Sequence, residues 1–193
     1  MRKIILFFLV IIIVLGGCQQ KKVFDHGKIV YDVYTNSYFN MKMDLPSSGW
    51  EVMDYEEIIE TDTFANEEGD EEGVPLLTIL REVENDSMYE IEGIIIHGAS
   101  EHYSKEEVET NLSYYNILGI SELFPVEKNN VEIDNQKFDV FEVDASNVFD
   151  APIIRTYLGM VKGGTVVITI SYLNDDTLKE LESMLEGITF EQD

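Results

Sequence analysis

Residues 153–172 read IIRTYLGMVKGGTVVITISY, and this stretch decides the class of fold. Two apolar and β-branched runs, Ile153–Val161 and Thr165–Tyr172, flank the pair Gly163 and Gly164. Glycine readily adopts the positive φ angles that a tight turn between two strands requires, so the stretch predicts a β-hairpin. Strands joined by so short a turn must run antiparallel, which favours an antiparallel sheet.

Strand patterns recur on the N-terminal side of this hairpin. Between Tyr38 and Pro46 apolar residues alternate with polar ones, a period of two that marks a half-buried strand ending at Pro46. Further strands are predicted at Leu76–Val83, at Tyr89–His97, at Val131–Ile133 and from Phe138 to Glu142, with a turn at Asp134–Gln136 between the last two.

Three helices are predicted from their capping patterns. Asp54 with Glu57 resembles a capping box, in which each residue's side chain binds a backbone N–H of the other, and Ser104 with Glu107 resembles a second one. The second helix is predicted to end near Gly119, and a third helix is predicted from Asp175 to Gly187. After it, Ile188–Phe190 are expected to return to the core.

These elements follow one another as strand, helix, two strands, helix, four strands and helix. Neighbouring strands are mostly joined by short turns, and helices must bury their apolar stripes against the sheet. The sequence therefore predicts an α+β fold, a central antiparallel sheet flanked by helices, formed by one acidic globular domain at residues 28–193.

An aromatic strand near the start of this domain carries a resemblance to a known family. The residues concerned are Tyr34, Asn36, Tyr38, Phe39, Leu45, Pro46, Gly49 and Trp50. The stretch resembles the opening of PsbP-like domains and of small lipoproteins of Gram-positive bacteria. The resemblance implies that the whole mature chain shares their central antiparallel sheet flanked by helices. It rests on a packing pattern, so it implies a fold and transfers no functional residues.

The first residues of the chain have the pattern of an export signal. Arg2 and Lys3 precede an apolar run, Ile4–Leu15, which at 12 residues is shorter than the about 20 that a membrane-spanning helix needs. The run ends in Leu-Gly-Gly-Cys at residues 15–18, which resembles the lipobox of bacterial lipoproteins. That resemblance implies cleavage after residue 17 and a diacylglycerol on Cys18. An ordinary secretory signal and an uncleaved membrane helix are the alternatives.

Lipidation at Cys18 would anchor the protein to the cell membrane, facing the outside of the cytoplasm. Two acyl chains suffice for stable anchoring where one does not. Residues 18–27 would then form a short lipidated tether, with Lys21 and Lys22 at the lipid headgroups. Cys18 is the single cysteine of the chain, so the domain has no disulfide and no catalytic thiol.

The mature chain would be strongly acidic, with 11 basic against 38 acidic residues and a formal charge of −27. Such a domain repels polyanions, so we expect no nucleic-acid partner.

Two groups of residues have the chemistry of metal ligands. His97 and His102 lie near Glu101 and Glu106, yet their spacing is not one of a known zinc site, so surface histidines are the expected reading. The acidic loop at residues 66–73 could collect Ca²⁺ weakly, but it lacks the ligand order of an EF-hand, so we expect a solvated loop. No metal and no cofactor is therefore predicted.

No pattern in the sequence points to a particular catalytic mechanism. There is no G-x-S-x-G motif and no Gly-rich loop with a phosphate-binding lysine. Tyr114 and Tyr115 are expected in the core or at its rim, with a tyrosine-lined ligand groove as the alternative. We expect a non-catalytic binding or accessory module that acts on an envelope protein or a cell-wall component. The alternative is an extracytoplasmic carboxylate-dependent hydrolase, which would need a pocket holding two carboxylates with shifted pKa values.

Overall fold

A computed structural model describes residues 24–61, 74–83, 91–100, 102, 104, 126–144, 146 and 152–191. The strands are β1 Lys28–Val30, β2 Val33–Asn36, β3 Met41–Asp44, β4 Glu51–Asp54, β5 Val74–Glu82, β6 Ile91–Ala99, β7 Val126–Ile133, β8 Gln136–Asp144, β9 Ile153–Val161, β10 Gly164–Tyr172 and β11 Ile188–Phe190. The helices are α1 Tyr55–Thr61 and α2 Asp175–Glu186.

The strands form two antiparallel sheets. A small sheet has the order β1-β2-β3-β11, and a large sheet has the order β4-β5-β6-β10-β9-β8-β7. The hairpin predicted from residues 153–172 is present, since β9 and β10 pair antiparallel along their whole length near the centre of the large sheet. Its turn is Lys162 and Gly163, both at positive φ, and Gly164 already belongs to β10.

The hydrophobic core lies between the two sheets. Along β10 alternate residues point to the small sheet and are buried, among them Val166, Ile168 and Ile170. From the small sheet the core receives Tyr34, Phe39, Met41, Met43, Ile188 and Phe190, and helix α2 adds Leu181 and Leu185. We call the side of the large sheet that faces this core its inner face and the opposite side its outer face.

Close packing of the inner face depends on two glycines within strands. A Cβ at Gly159 would lie 2.4 Å from Phe138 Cε1, and one at Gly98 would lie 2.6 Å from Phe39 Cε2. Real carbon atoms do not approach so closely. Each aromatic ring therefore occupies the space that a side chain at the glycine would take.

Both described helices begin at hydrogen-bonded caps. Asp54 Oδ1 accepts from the backbone N–H of Glu57, and Glu57 Oε2 accepts in return from the N–H of Asp54 at 3.2 Å, which confirms the first capping box. Helix α2 begins at Asp175, as predicted, and the residue that caps it is Asn174. Asn174 Oδ1 accepts from the N–H groups of Asp176 and Thr177, each at 3.0 Å.

The prediction of an α+β fold with one central sheet flanked by helices is wrong. Strands make up 59% and helices 16% of the described residues, in two antiparallel sheets with two helices. The core of the large sheet is covered mainly by a second sheet, whose strands β1, β2 and β11 are three or four residues long. Strands this short show at most two alternations, too few for a period of two to stand out in the sequence. The helix predicted from Ser104 to Gly119 lies outside the described residues, Ser104 excepted.

One further observation concerns the membrane. Within the described part of the chain, neither helix is long and apolar enough to span a bilayer.

Candidate functional site

Several residues singled out from the sequence fall outside the described part of the chain. These are Cys18, the acidic loop at 66–73, Glu101, Glu106, Tyr114 and Tyr115. Of the four residues considered as metal ligands, the structure describes His97 on β6 and His102, which is exposed.

His97 lies on the outer face of the large sheet, where its cross-strand neighbours are Pro75 and Val167. Burial lowers the pKa of its imidazole to about 4, so the ring is neutral at pH 7. Among the described residues no three His, Cys, Asp or Glu side chains are grouped so that they could hold a metal ion.

A group of charged side chains lies on the inner face of the large sheet, beneath helix α2. Two cross-strand pairs build it: Arg81 opposite Glu92 on β5 and β6, and Arg155 opposite Glu142 on β9 and β8. We call these four residues the arginine row. All four point inward, and the next inward residue of each strand, two positions away, belongs to the apolar core: Ile79, Ile94, Val140 and Tyr157.

Arg155 is the centre of one half of the row. Its Nε and Nη2 donate to Glu142 Oε2 at 2.9 and 2.8 Å, and its Nη1 donates to Glu182 of helix α2 at 2.6 Å. Lys128 Nζ completes the group at 2.7 Å from the other oxygen of Glu142. Tyr172 also belongs to this group, because its hydroxyl donates to Glu142 Oε2 at 3.2 Å.

These contacts fix the protonation states. Partial burial opposes ionisation of Glu142, but the hydrogen bonds from Lys128 and Arg155 outweigh it and hold the pKa of the carboxyl below its ordinary value. Burial likewise opposes the charge on Arg155, while the bonds to Glu142 raise its pKa. Burial, together with the nearby carboxylate of Glu142, raises the pKa of Tyr172 to about 12. The cluster is thus an ion pair at neutral pH with a neutral tyrosine beside it.

Arg81 is the centre of the other half. Its Nη2 donates to Glu92 at 2.9 Å and its Nη1 to Glu180 of helix α2 at 3.1 Å. The guanidinium carbon lies 4.2 Å from the centroid of the Trp50 ring, in a cation–π contact. Glu92 is buried, and its second oxygen accepts from the backbone N–H of Leu173 at 3.1 Å, just before helix α2.

The ion pairs of the arginine row attach helix α2 to the large sheet. Glu180 and Glu182 flank the buried Leu181, and each is bound by one arginine of the sheet. A general acid needs a carboxyl with a raised pKa that reaches a substrate. Glu142 has a lowered pKa and both of its oxygens are engaged, so the row acts as a structural clamp.

Two surface clefts are formed by described residues, and the first of them borders Arg81 of the row. One, of about 340 Å³, lies beside β4 and is lined by Gly49, Glu51, Leu80, Arg81, Glu82 and Ile91. The other, of about 380 Å³, lies on the small sheet and is lined by polar residues that include Asp25, Lys28, Thr35, Ser37, Lys42 and Glu191. Asp25 is engaged there in holding the chain: its Oδ2 accepts from the N–H of Ser37 at 2.8 Å, and hydrogen bonds of this kind outweigh burial and lower its pKa.

The large sheet ends at strand β7. It pairs with β8 on one side, and no described strand lies on its other side. Six of its eight residues are exposed, among them Val126 with 57% of its surface accessible. Its ladder is irregular between Lys128 and Val131, a feature that disfavours indiscriminate pairing with other chains.

The arginine row was not predicted from the sequence. Arg81 and Glu92 are 11 residues apart, and Arg155 and Glu142 are 13 apart, so neither pair is visible as a motif. One signal was available, because Arg155 occupies the same face of its strand as Tyr157 and thus an expected core position. A charged residue at such a position requires a partner on a neighbouring strand.

The comparisons with known proteins bear on the fold alone. No family model matches the chain, and no curated protein matches its sequence. The structure is similar to the solution structure of cyanobacterial PsbP (CyanoP) from Synechocystis sp. PCC 6803, with a TM-score of 0.48 and 14% sequence identity over 92% of this chain and 99% of that chain. The resemblance drawn from the sequence named PsbP-like domains, and this solved structure is a PsbP protein. A similarity of this size transfers no ligand, partner or activity.

Proposed function

We propose that this protein is a lipoprotein anchored at Cys18 on the outside of the cell membrane, and that its domain is a non-catalytic binding or accessory module of the cell envelope. The anchor rests on the sequence around Cys18, which is followed by a tether of a few residues. The binding role rests on the geometry of the domain.

The observation that carries the binding role is the edge strand β7. Strand β7 is the last strand of the large sheet in the described part of the chain, and its exposed Val126 offers an apolar contact at this edge. An envelope protein could add a strand to such an edge, since main-chain hydrogen bonds supply affinity and side chains of the strand supply specificity.

Two partly buried carboxylates have a structural role in place of a catalytic one. Glu142 and Asp25 both have lowered pKa values, the opposite of what a general acid needs, and both make hydrogen bonds within the domain. The chemistry of these two carboxylates therefore favours a structural role over hydrolysis.

Photo-crosslinking in intact cells tests the binding role. A photoreactive residue in place of Val126 is compared with one in place of Lys179, which is exposed on helix α2. We expect a discrete crosslinked species from position 126 and none from position 179. Identical crosslinks from both positions, or none from 126, would contradict recognition through β7.

A further inference from the structure

The charge of the mature chain is distributed unevenly along the sequence. Residues 19–31 contain three lysines and one aspartate, a formal charge of +2, whereas residues 32–193 contain eight basic and 37 acidic residues, a charge of −29. The positive segment is the one that follows the proposed lipid anchor. An anionic membrane surface attracts this segment and repels the rest of the domain.

The structure fixes where this segment joins the domain. Phe24 packs on Tyr38 with ring centroids 4.9 Å apart, Asp25 is bonded to Ser37, and Tyr34 Oη donates to the carbonyl of His26 at 2.8 Å. The chain therefore enters the domain at the small sheet. Cys18 is six residues before Phe24, a distance of at most about 20 Å for an extended chain.

So short a connection places the small sheet nearest to the anchor. One surface of this sheet covers the core, and the other is exposed and carries a row of polar side chains in register: Lys28, Thr35, Lys42 and Thr189. We call this surface the small-sheet face. Lys42 pairs with Glu191, and the exposed Asp44 lies on the same face of β3, so the face itself has no excess of positive charge and its attraction to an anionic surface rests on Lys28 together with the preceding Lys21 and Lys22. The outer face of the large sheet lies on the far side of the domain, beyond the about 10 Å that separates stacked sheets.

The turn between β1 and β2 adds an apolar contact at the edge of this face. Val30 is 42% and Tyr31 94% exposed, and Tyr31 and Asp32 both have positive φ, of 52° and 59°. Asparagine or glycine is favoured in such a turn, so a tyrosine here does not serve the stability of the hairpin. A tyrosine has an apolar ring and a polar hydroxyl, the combination that is enriched at the boundary between lipid and water.

We propose that the small-sheet face is the surface that this domain lays on an anionic bilayer, with Tyr31 at the level of the headgroups and Lys28 against lipid phosphates. This orientation rests on the proposed lipid anchor at Cys18. It leaves β7 and the acidic remainder of the domain accessible to a partner.

The full-length lipidated protein, reconstituted in vesicles of phosphatidylglycerol and phosphatidylcholine, provides the test. The lipid occupies the thiol of Cys18, which is the single cysteine of the chain, so a Tyr31→Cys substitution introduces one labelling site for a fluorophore. Quenching by nitroxide lipids labelled at the headgroup then reports contact with the bilayer. The matched control is Met160→Cys, because Met160 is 49% exposed on the outer face of the large sheet.

We expect headgroup nitroxides to quench the label at position 31 and not the label at 160. Lys28→Glu should weaken the quenching at 31, whereas Lys179→Glu, with the same change of charge on helix α2, should leave it unchanged. Equal quenching at 31 and 160, or none at 31, in protein that still sediments with the vesicles would overturn the orientation and leave the anchor standing. Protein that fails to sediment with the vesicles would overturn the anchor and the orientation with it.

Discussion

Arg155 and Glu142 face each other across β9 and β8, and two nitrogens of the guanidinium donate to one oxygen of the carboxylate, at 2.9 and 2.8 Å. Their side chains are 19% and 14% exposed. Half-buried ion pairs of this kind are stable as pairs, but either partner alone is left with a charge that water cannot fully solvate.

Arg155→Met should therefore lower the free energy of unfolding by about 2–4 kcal/mol, because Glu182 loses its cation and the partly buried Glu142 keeps only Lys128. Urea denaturation at pH 7 measures the change. The control is Lys179→Met, which removes an exposed pair with Asp176 and should change stability by less than about 0.5 kcal/mol. Combining Arg155→Met with Glu142→Leu should restore part of the loss, and strictly additive losses would contradict the pairing.

His97 should make stability depend on pH. Its pKa is lowered from 6.5 to about 4 in the folded domain, so between these values the unfolded chain binds a proton that the folded domain does not. The contribution of neutral His97 to the free energy of unfolding is therefore fully present above pH 6.5. It falls by up to about 3 kcal/mol as the pH drops to 4, and below pH 4 it changes little further. Melting temperatures in buffers across this range measure the slope.

Substitutions at two histidines separate this effect from others. His97→Gln should flatten the slope, while His102→Gln, at an exposed position, should leave it as in the wild type. Glu142 acts in a lower range, because its lowered pKa adds stability that is lost only as the pH falls below its ordinary value of 4.5. An unchanged slope in His97→Gln would show that other groups set the pH dependence.

Stability should rise with salt, because the 38 acidic residues far outnumber the 13 basic ones and repel one another, and counterions relieve this repulsion most in the compact state. Thermal melts at matched ionic strength should show Ca²⁺ and Mg²⁺ acting alike below about 1 mM. A saturable shift specific to Ca²⁺ that disappears when Asp70, Glu71 and Glu72 are changed to amides would instead reveal a calcium site in the loop at 66–73.

Cys18→Ser should abolish lipid attachment and release the protein from the membrane, because a serine hydroxyl cannot form the thioether. Metabolic labelling with a fatty-acid analogue, followed by separation of membrane and soluble fractions, measures both effects. Equal incorporation of label into the wild type and the variant would exclude Cys18 as the site of attachment.

Elements with local signals could be predicted from the sequence. The capping box of Asp54 and Glu57 and the long hairpin of β9 and β10 both depend on residues close together in the chain, and both are confirmed. Strand β4, of four residues, has no comparable signal, since three of its residues are only half-buried and it lies at a sheet edge.

Features that depend on register could not be predicted. That Arg155 meets Glu142 follows from the alignment of β8 with β9, and a shift by one residue would turn one of them to the other face. The small sheet likewise depends on the pairing of β11 with β3, and no local sequence pattern predicts this pairing. For the same reason the sequence does not predict that a second sheet packs over the core.

The pairing of β11 with β3 also sets the order in which the domain can assemble. The N–H of Glu191 donates to the carbonyl of Asn40 at 3.0 Å, across a separation of 151 residues. A chain synthesised from its N-terminus cannot make this contact until residues near 190 are available, and contacts of such long range form slowly. The small sheet, which covers the core, is therefore complete only once nearly the whole domain is available.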